Sequence, residues 1–139
     1  SNDASINVTS REDGSGTRGA FIELFGIEEK DGNGKKVDMT TSSAAITNST
    51  AVMKTTVAND TDAIGYISLG SLDDTVKAVK IDGAEATAEN VKSGSYKVSR
   101  PFNVVTNSGK ELSPVARDFM KFVLSSDGQK VVEEQGSFR

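Results

Sequence analysis

SREDGSGTR, residues 10–18, with Gly19-Ala20-Phe21 directly behind it, decides how this chain is read. Ahead of it the alternation Ile6-Asn7-Val8-Thr9 predicts a short strand. Behind it Phe21, Ile22, Leu24 and Phe25 fall at i, i+1, i+3 and i+4, one apolar face of a helix. A Gly- and hydroxyl-rich turn that feeds a helix gathers unpaired backbone N–H groups at the positive end of the helix dipole. Such a place suits a small anion. Arg11 adds a full positive charge whose planar fork matches a tetrahedral oxyanion. Asp13 adds a carboxylate, which tolerates an anion that still carries a proton and repels a fully deprotonated one. Near neutral pH phosphate keeps a proton and sulfate does not. The combination therefore points to phosphate.

The run SREDGSGTRGAF resembles the phosphate-contacting loop of the phosphate-binding proteins that serve bacterial ABC importers, members of the periplasmic-binding-protein superfamily. Arg11, Asp13, Gly14, Ser15, Gly16 and Thr17 match without a gap, which is far more specific than a bare glycine pattern. The resemblance implies that Arg11, Ser15, Gly16 and Thr17 bind the oxyanion, that Asp13 is linked to Arg11, and that Ser10 and Gly14 support the loop. It also implies a non-catalytic protein outside the cytoplasm, in the periplasm or lipid-anchored on the outer face of a Gram-positive membrane. Its partners would be inorganic phosphate and an ABC permease, with no cofactor and no metal. Further stretches resemble the same family. They are the Ala63-Ile64-Gly65-Tyr66 strand, the pattern from Thr87 to Tyr96, and FMKFVLSSDGQKVVEEQG near the C-terminus.

Composition supports a binding rather than a catalytic reading. The chain has 139 residues, enough for one domain with a core. Its net charge of -4 argues against nucleic acid and anionic membrane surfaces as partners. No apolar run approaches the ~20 residues of a membrane-spanning helix. There is no His, which removes the Ser-His-Asp triad and the commonest acid–base group. There is no Cys, which removes thiol catalysis, thiolate metal sites and disulfides. Ser15 and Thr17 lack a base to activate them, and Arg11 two residues away should keep Asp13 ionised.

Along the chain, a strand is expected from residue 5 to 10 and a helix from about 17 to 25, with Gly26 as its stop. Residues 28–38, with Asp31-Gly32-Asn33-Gly34, predict a surface hairpin. A calcium loop would need ligands that Lys35, Lys36 and Val37 do not supply. Ala44-Ala45-Ile46 is a weak strand, and Asn48, Ser49 and Thr50 offer caps for a helix through Val57. Residues 63–69 read as the strongest strand and 76–81 as another, turning at Asp82-Gly83; 86–93 form a short helix. Residues 97–106 are extended, with Arg100 on a hinge or surface. Ser113-Pro114 open a helix with Val115, Phe119, Phe122 and Val123 on its buried side. Ser126 with Gln129 makes a capping box for a last helix that Gly136 ends.

Gly14-Ser15-Gly16-Thr17-Arg18-Gly19 also matches the dinucleotide fingerprint, with Asp38 about 20 residues on as the ribose acid. Four residues separate the strand from the first glycine, and two are carboxylates that would face a diphosphate. This reading ranks below an oxyanion site. A Walker loop fails because Ala20-Phe21 follow Gly19.

The expected fold is α/β, one lobe of a two-lobed binding protein, with a mixed sheet flanked by helices. Residues 4–98 would form the second, ligand-binding lobe. Residues 99–139 would form a hinge strand and C-terminal helices that belong to the hinge or the other lobe. The first lobe's N-terminal portion is expected to be missing, and Ser1-Asn2 reads as a scar of an expression tag. An orphaned lobe leaves apolar area uncovered, which predicts weak phosphate binding and a homodimer. The same lobe would also serve a phosphate-sensing regulatory module.

Overall fold

The computed structural model describes residues 4–134. A strand at Asn7–Arg11 (β1) runs through the centre of a three-stranded parallel sheet. On one side lies Ala45–Thr47 (β4), with Thr9, Ser10 and Arg11 opposite Ala45, Ile46 and Thr47. On the other lies Ala63–Ile64 (β5), opposite Asn7 and Val8. Between these strands run the helices Gly16–Leu24 (α1) and Thr50–Ala58 (α2), and the antiparallel hairpin Glu28–Lys30 (β2) with Lys36–Asp38 (β3). The class is α/β as expected, with parallel and antiparallel pairings divided between two sheets. The chain leaves β1 towards β4, then crosses back over β1 to β5.

The caps explain where the helices begin. Ser15 accepts a hydrogen bond from Arg18 N–H, Ser49 from Val52 N–H, and Ser113 from Ala116 N–H with Pro114 behind it. Gly26, at φ 65°, closes α1. The Asp31 turn forms as the sequence predicts. Its carboxylate accepts from Asn33 N and Lys35 N, both at 2.9 Å, so it is already engaged with backbone amides.

The buried apolar core among the described residues is small: Ile22 of α1 and Met53 of α2. Met53 is 1% exposed and fits against Gly65 at the end of β5. A Cβ there would lie 2.5 Å from the Met53 sulfur and 3.2 Å from Val57 Cγ2. The buried centre of the sheet is polar, with Thr9, Ser10 and Thr47 all under 9% exposed.

Several expectations need correction. The strand over 63–69 stops at Ile64, and 69–71 form a 3-10 turn. Beyond Ile64 the Tyr66 side chain, rather than a backbone ladder, reaches the flank of β1. Residues 76–81 form no strand. Only Ile81 and Ala84 pair, exchanging N–H···O bonds of 3.0 and 2.9 Å around Asp82 and Gly83 at φ 51° and 82°. No described strand lies alongside to extend that pairing. The short helix is Ala88–Lys92 (α3), capped by Thr87.

The C-terminal part differs more. The helices Pro114–Leu124 (α4) and Ser126–Glu134 (α5) pack on each other. The aromatics expected in the core are on the surface, Phe119 at 65% and Phe122 at 51% exposed, with Val115 at 79%. A helix buries its apolar stripe only where another element covers it. Among the described residues α5 packs on α4 and leaves Val123 half-buried, but Val115, Phe119 and Phe122 stay exposed. The capping box also sits one residue early. Ser125 Oγ accepts from Gly128 N, its carbonyl accepts from Gln129 N, and the Gln129 amide donates to the Val123 carbonyl. The expected stop at Gly136 lies outside the described residues.

Gly128 explains the tightness of that elbow. A Cβ there would run into the Phe122 carbonyl and lie 2.9 Å from Val123 Cα. Gly128→Ala should cost about 2 kcal/mol through overpacking against backbone. A fall in Tm of about 5–10 °C by circular dichroism is the expected outcome. An unchanged Tm would show that the elbow has room to spare.

Candidate functional site

The C-terminal ends of the parallel strands bring three turns to one edge of the sheet. In open α/β sheets this edge, where strand order reverses, is where ligands bind. The first turn, after β1, carries Glu12, Asp13, Gly14 and Ser15 into α1. The second, after β4, leads to Ser49 and Thr50 at the start of α2. The third, after β5, carries Gly65 to Ser68.

The amides at the start of α1 can be accounted for one by one. Ser15 N–H donates to the Glu12 carbonyl (3.3 Å), Arg18 N–H to Ser15 Oγ (3.3 Å), and Gly19 N–H to the Ser15 carbonyl (3.0 Å). The N–H groups of Gly16 and Thr17 have no acceptor among the described residues. They are the two orphan donors that a helix N-terminus leaves over, at the positive end of its dipole. Gly14, at φ 86°, supplies the left-handed residue that turns the chain into this helix.

Arg11 ends β1 with its side chain largely sheltered, 14% exposed. Its Nε and Nη2 donate to the two carboxylate oxygens of Glu12 at 2.8 and 3.0 Å, and Nη1 donates to Thr50 Oγ1 at 3.4 Å. Glu12 raises the Arg11 pKa, and Arg11 in turn holds the Glu12 carboxyl below its usual range. Glu12 is itself fixed by its N–H on the Thr47 carbonyl (3.1 Å). The guanidinium therefore points towards the start of α2. Ser49, which the sequence assigned to capping, does cap; Thr50 carries Arg11 as well.

Asp13 does not pair with Arg11. Its carboxylate is 98% exposed and is bonded by Arg18 Nη1. The link between Asp13 and Arg11 is replaced by two pairs, Arg11 with Glu12 and Arg18 with Asp13. Adjacent residues on a turn diverge. Glu12 leaves towards Arg11, while Asp13 leaves into solvent, where Arg18 of the first turn of α1 reaches it. Arg18 also donates through Nε (2.9 Å) and Nη2 (2.6 Å) to Asp38 at the end of β3. Asp38, the acid that a dinucleotide reading would place on a ribose, is fully engaged. It accepts from Thr40 N (2.8 Å) and Thr40 Oγ1 (2.6 Å) in addition to Arg18. Burial pushes its carboxyl up, but Thr40 and Arg18 outweigh that and hold it below the usual range.

Hydroxyls complete the edge. Thr17 Oγ1 lies 3.5 Å from Ser68 Oγ, which joins the first turn to the third. Buried Ser10 does not face the turn; its Oγ pairs with the Tyr66 hydroxyl at 2.9 Å. That hydroxyl also accepts from Arg11 N–H at 3.0 Å, and the Tyr66 ring stacks on Phe21 of α1 with centroids 4.1 Å apart. Two surface concavities lie elsewhere, one along α2 and one beside the N-terminal end of β1. The cradle at the strand ends is open.

Residues 1–127 match the family model described as the PBP superfamily domain. The chain belongs to that superfamily. Among curated relatives of this PBP domain is the "Phosphate-binding protein PstS 2" of Streptococcus agalactiae, 60% identical over 136 residues. The match takes in 98% of this chain and 46% of that protein, so the chain spans about half the length of the relative. Among solved structures, a phosphate ABC transporter, phosphate-binding protein from Streptococcus pneumoniae superposes with a TM-score of 0.83 at 50% identity. That match covers 94% of this chain and 50% of the other. A putative phosphate ABC transporter substrate-binding protein with bound phosphate, from Clostridium perfringens, gives 0.80 at 45% identity, covering 96% and 51%.

Four residues of this PBP domain's cradle were not read from the sequence, Glu12, Arg18, Tyr66 and Ser68, and Thr50 was read as a helix cap where it accepts from Arg11. Arg18 carried a signal, three residues after the cap and within reach of Asp13 on the first turn. Tyr66 carried only its place within the run 63–69 and its part in the stretch that resembles the family, neither of which assigns it a contact. Its role rests on one oxygen shared by Ser10 and Arg11. Tyr66→Phe should leave the ring stack intact and strand the Arg11 N–H, which costs about 1–2 kcal/mol. Faster hydrogen exchange at the Arg11 amide with an unchanged fold by circular dichroism is expected. Exchange at the wild-type rate would show that another acceptor serves that amide.

Proposed function

We propose that this chain is the ligand-gripping lobe of a non-catalytic solute-binding protein that captures inorganic phosphate for an ABC importer outside the cytoplasm. The observation that carries the reading is that Arg11, at the end of β1, and the unpartnered amides of Gly16 and Thr17, at the start of α1, stand on the same edge of the sheet. An oxyanion there would take N–H donors from the helix start and from the outer guanidinium hydrogens. Ser15 and Thr17 supply hydroxyls, with Ser10 and Gly14 supporting the loop. Asp13 supplies the nearby negative charge that favours an anion carrying a proton. The names of the relatives, phosphate-binding proteins at up to 60% identity, support the choice of phosphate over other oxyanions.

The cradle is open on one side, and the relatives are about twice as long as this chain. In this reading residues 4–98 are the second lobe, 99–139 the hinge strand and C-terminal helices, and a first lobe supplies the remaining wall and contacts. The rest of the protein would then cover the exposed Phe102, Val105, Val115 and Phe119. The partner would be the permease of the importer. A sensor built on the same lobe would differ in what is joined to it, not in the cradle.

Titration calorimetry of the complete protein with phosphate, arsenate and sulfate tests the reading. Arg11→Ala should weaken phosphate binding by about 10- to 100-fold, the loss of charge-assisted hydrogen bonds. Asp13→Asn should raise the tolerance for sulfate. Wild-type binding of sulfate as tight as that of phosphate would sink the assignment.

The isolated 139-residue chain provides a separate check. It should bind phosphate only weakly and self-associate through its uncovered apolar face. Calorimetry with phosphate and small-angle scattering read the two outcomes. Submicromolar affinity or a monomer would contradict the lobe assignment.

A further inference from the structure

We propose that Arg18 is a specificity-determining positioning residue of the anion loop, dividing one guanidinium between two carboxylates with separate jobs. The inference rests on the phosphate reading above and deepens it. Arg18 stands on the first turn of α1, where its own N–H is capped by Ser15. Its Nη1 turns back over the loop to Asp13, while Nε and Nη2 reach sideways to Asp38, 20 residues further along the chain.

The two carboxylates differ in what else holds them. Asp38 is 15% exposed and keeps the Thr40 amide and hydroxyl even without Arg18. Its pairing with Arg18 fastens the β2–β3 hairpin to the start of α1, which is a matter of stability. Asp13 is 98% exposed and is held by Arg18 alone. Arg18 is what confines that charge beside the two amides that await an anion.

The charges make the point sharper. Arg11 and Arg18 stand against Glu12, Asp13 and Asp38, a formal balance of one negative charge around a site for an anion. Without Arg18 the balance becomes two negative charges, and the mobile one is nearest the helix start. The loop would then repel a phosphate dianion through Asp13. With Arg18 in place Asp13 biases the cradle against sulfate without shutting phosphate out.

A double-mutant cycle on the complete protein separates these jobs, read by calorimetry with inorganic phosphate and sulfate and by thermal melting. Arg18→Gln should weaken phosphate binding about tenfold, the effect of one unbalanced charge close to the ligand. Adding Asp13→Asn to Arg18→Gln should restore most of that loss. The lowered Tm, which follows from Asp38, should not recover. Should Arg18→Gln fail to fold, Arg18→Lys keeps the charge without the fork. It should hold phosphate affinity within about twofold of wild type while Tm falls. Wild-type affinity in Arg18→Gln, or a double variant as weak as the single, would overturn the proposal, as would a tenfold loss in Arg18→Lys. A wild-type protein that binds no phosphate would instead remove the reading on which the proposal stands.

Discussion

One phenolic oxygen sets the geometry of the whole edge. The Tyr66 hydroxyl lies between Ser10 Oγ and Arg11 N–H, at the point where β5 has stopped and β1 continues. A parallel ladder would otherwise have to extend along both flanks of β1 to satisfy it. Because a side chain does this work instead, the third turn can leave the sheet three residues before β1 ends and bring Ser68 to Thr17. The stacked ring on Phe21 fixes α1 to the same point. Strand, helix and third turn therefore share one anchor, and the orphan amides of Gly16 and Thr17 keep their place relative to Arg11 because of it.

The charges are arranged on the same economy. The protein carries net charge -4, so the proposed anion site would have to be built locally and with care. Each arginine at the edge has its own acid, Arg11 with Glu12 and Arg18 with Asp13 and Asp38. A paired guanidinium keeps its orientation but loses part of its field. The helix start contributes donors that carry no counter-charge at all. In the proposed reading, amides plus a tethered cation would let an acidic surface hold an acidic ligand.

How much of this was legible in the sequence depended on the range of the interaction. β1, α1, the 28–38 hairpin, β4, α2, α3 and the two last helices were readable, because caps, turns and apolar period act over three or four residues. The strands over 63–69 and 76–81 were not. Apolar runs such as Ile64-Gly65-Tyr66-Ile67 show that a segment can be extended, but pairing depends on what lies alongside. Gly65 packs on Met53 and Tyr66 turns in, so the ladder ends there. The cradle shows the same division. Gly14, Ser15, Gly16 and Thr17 stand in one turn and could be read together. Thr50, Tyr66 and Ser68 arrive from 39 to 56 residues away and could not. The choice of Asp13 over Glu12 as partner of Arg11 is a matter of which way adjacent side chains leave a turn, and spacing alone cannot resolve it. Phe119 and Phe122 failed for a further reason: periodicity marks an apolar face without saying what covers it.

The separation of the cradle from the exposed aromatics along the chain has an evolutionary reading. Every side chain that touches the cradle, from Ser10 to Ser68, belongs to a single uninterrupted run, whereas α4 and α5 contribute none. In the proposed reading, the ligand contacts and the exposed Phe119 and Phe122 are thus written in different parts of the chain. Drift in one of them leaves the other untouched, and a scaffold of this kind can change what it grips while keeping whatever it leans against.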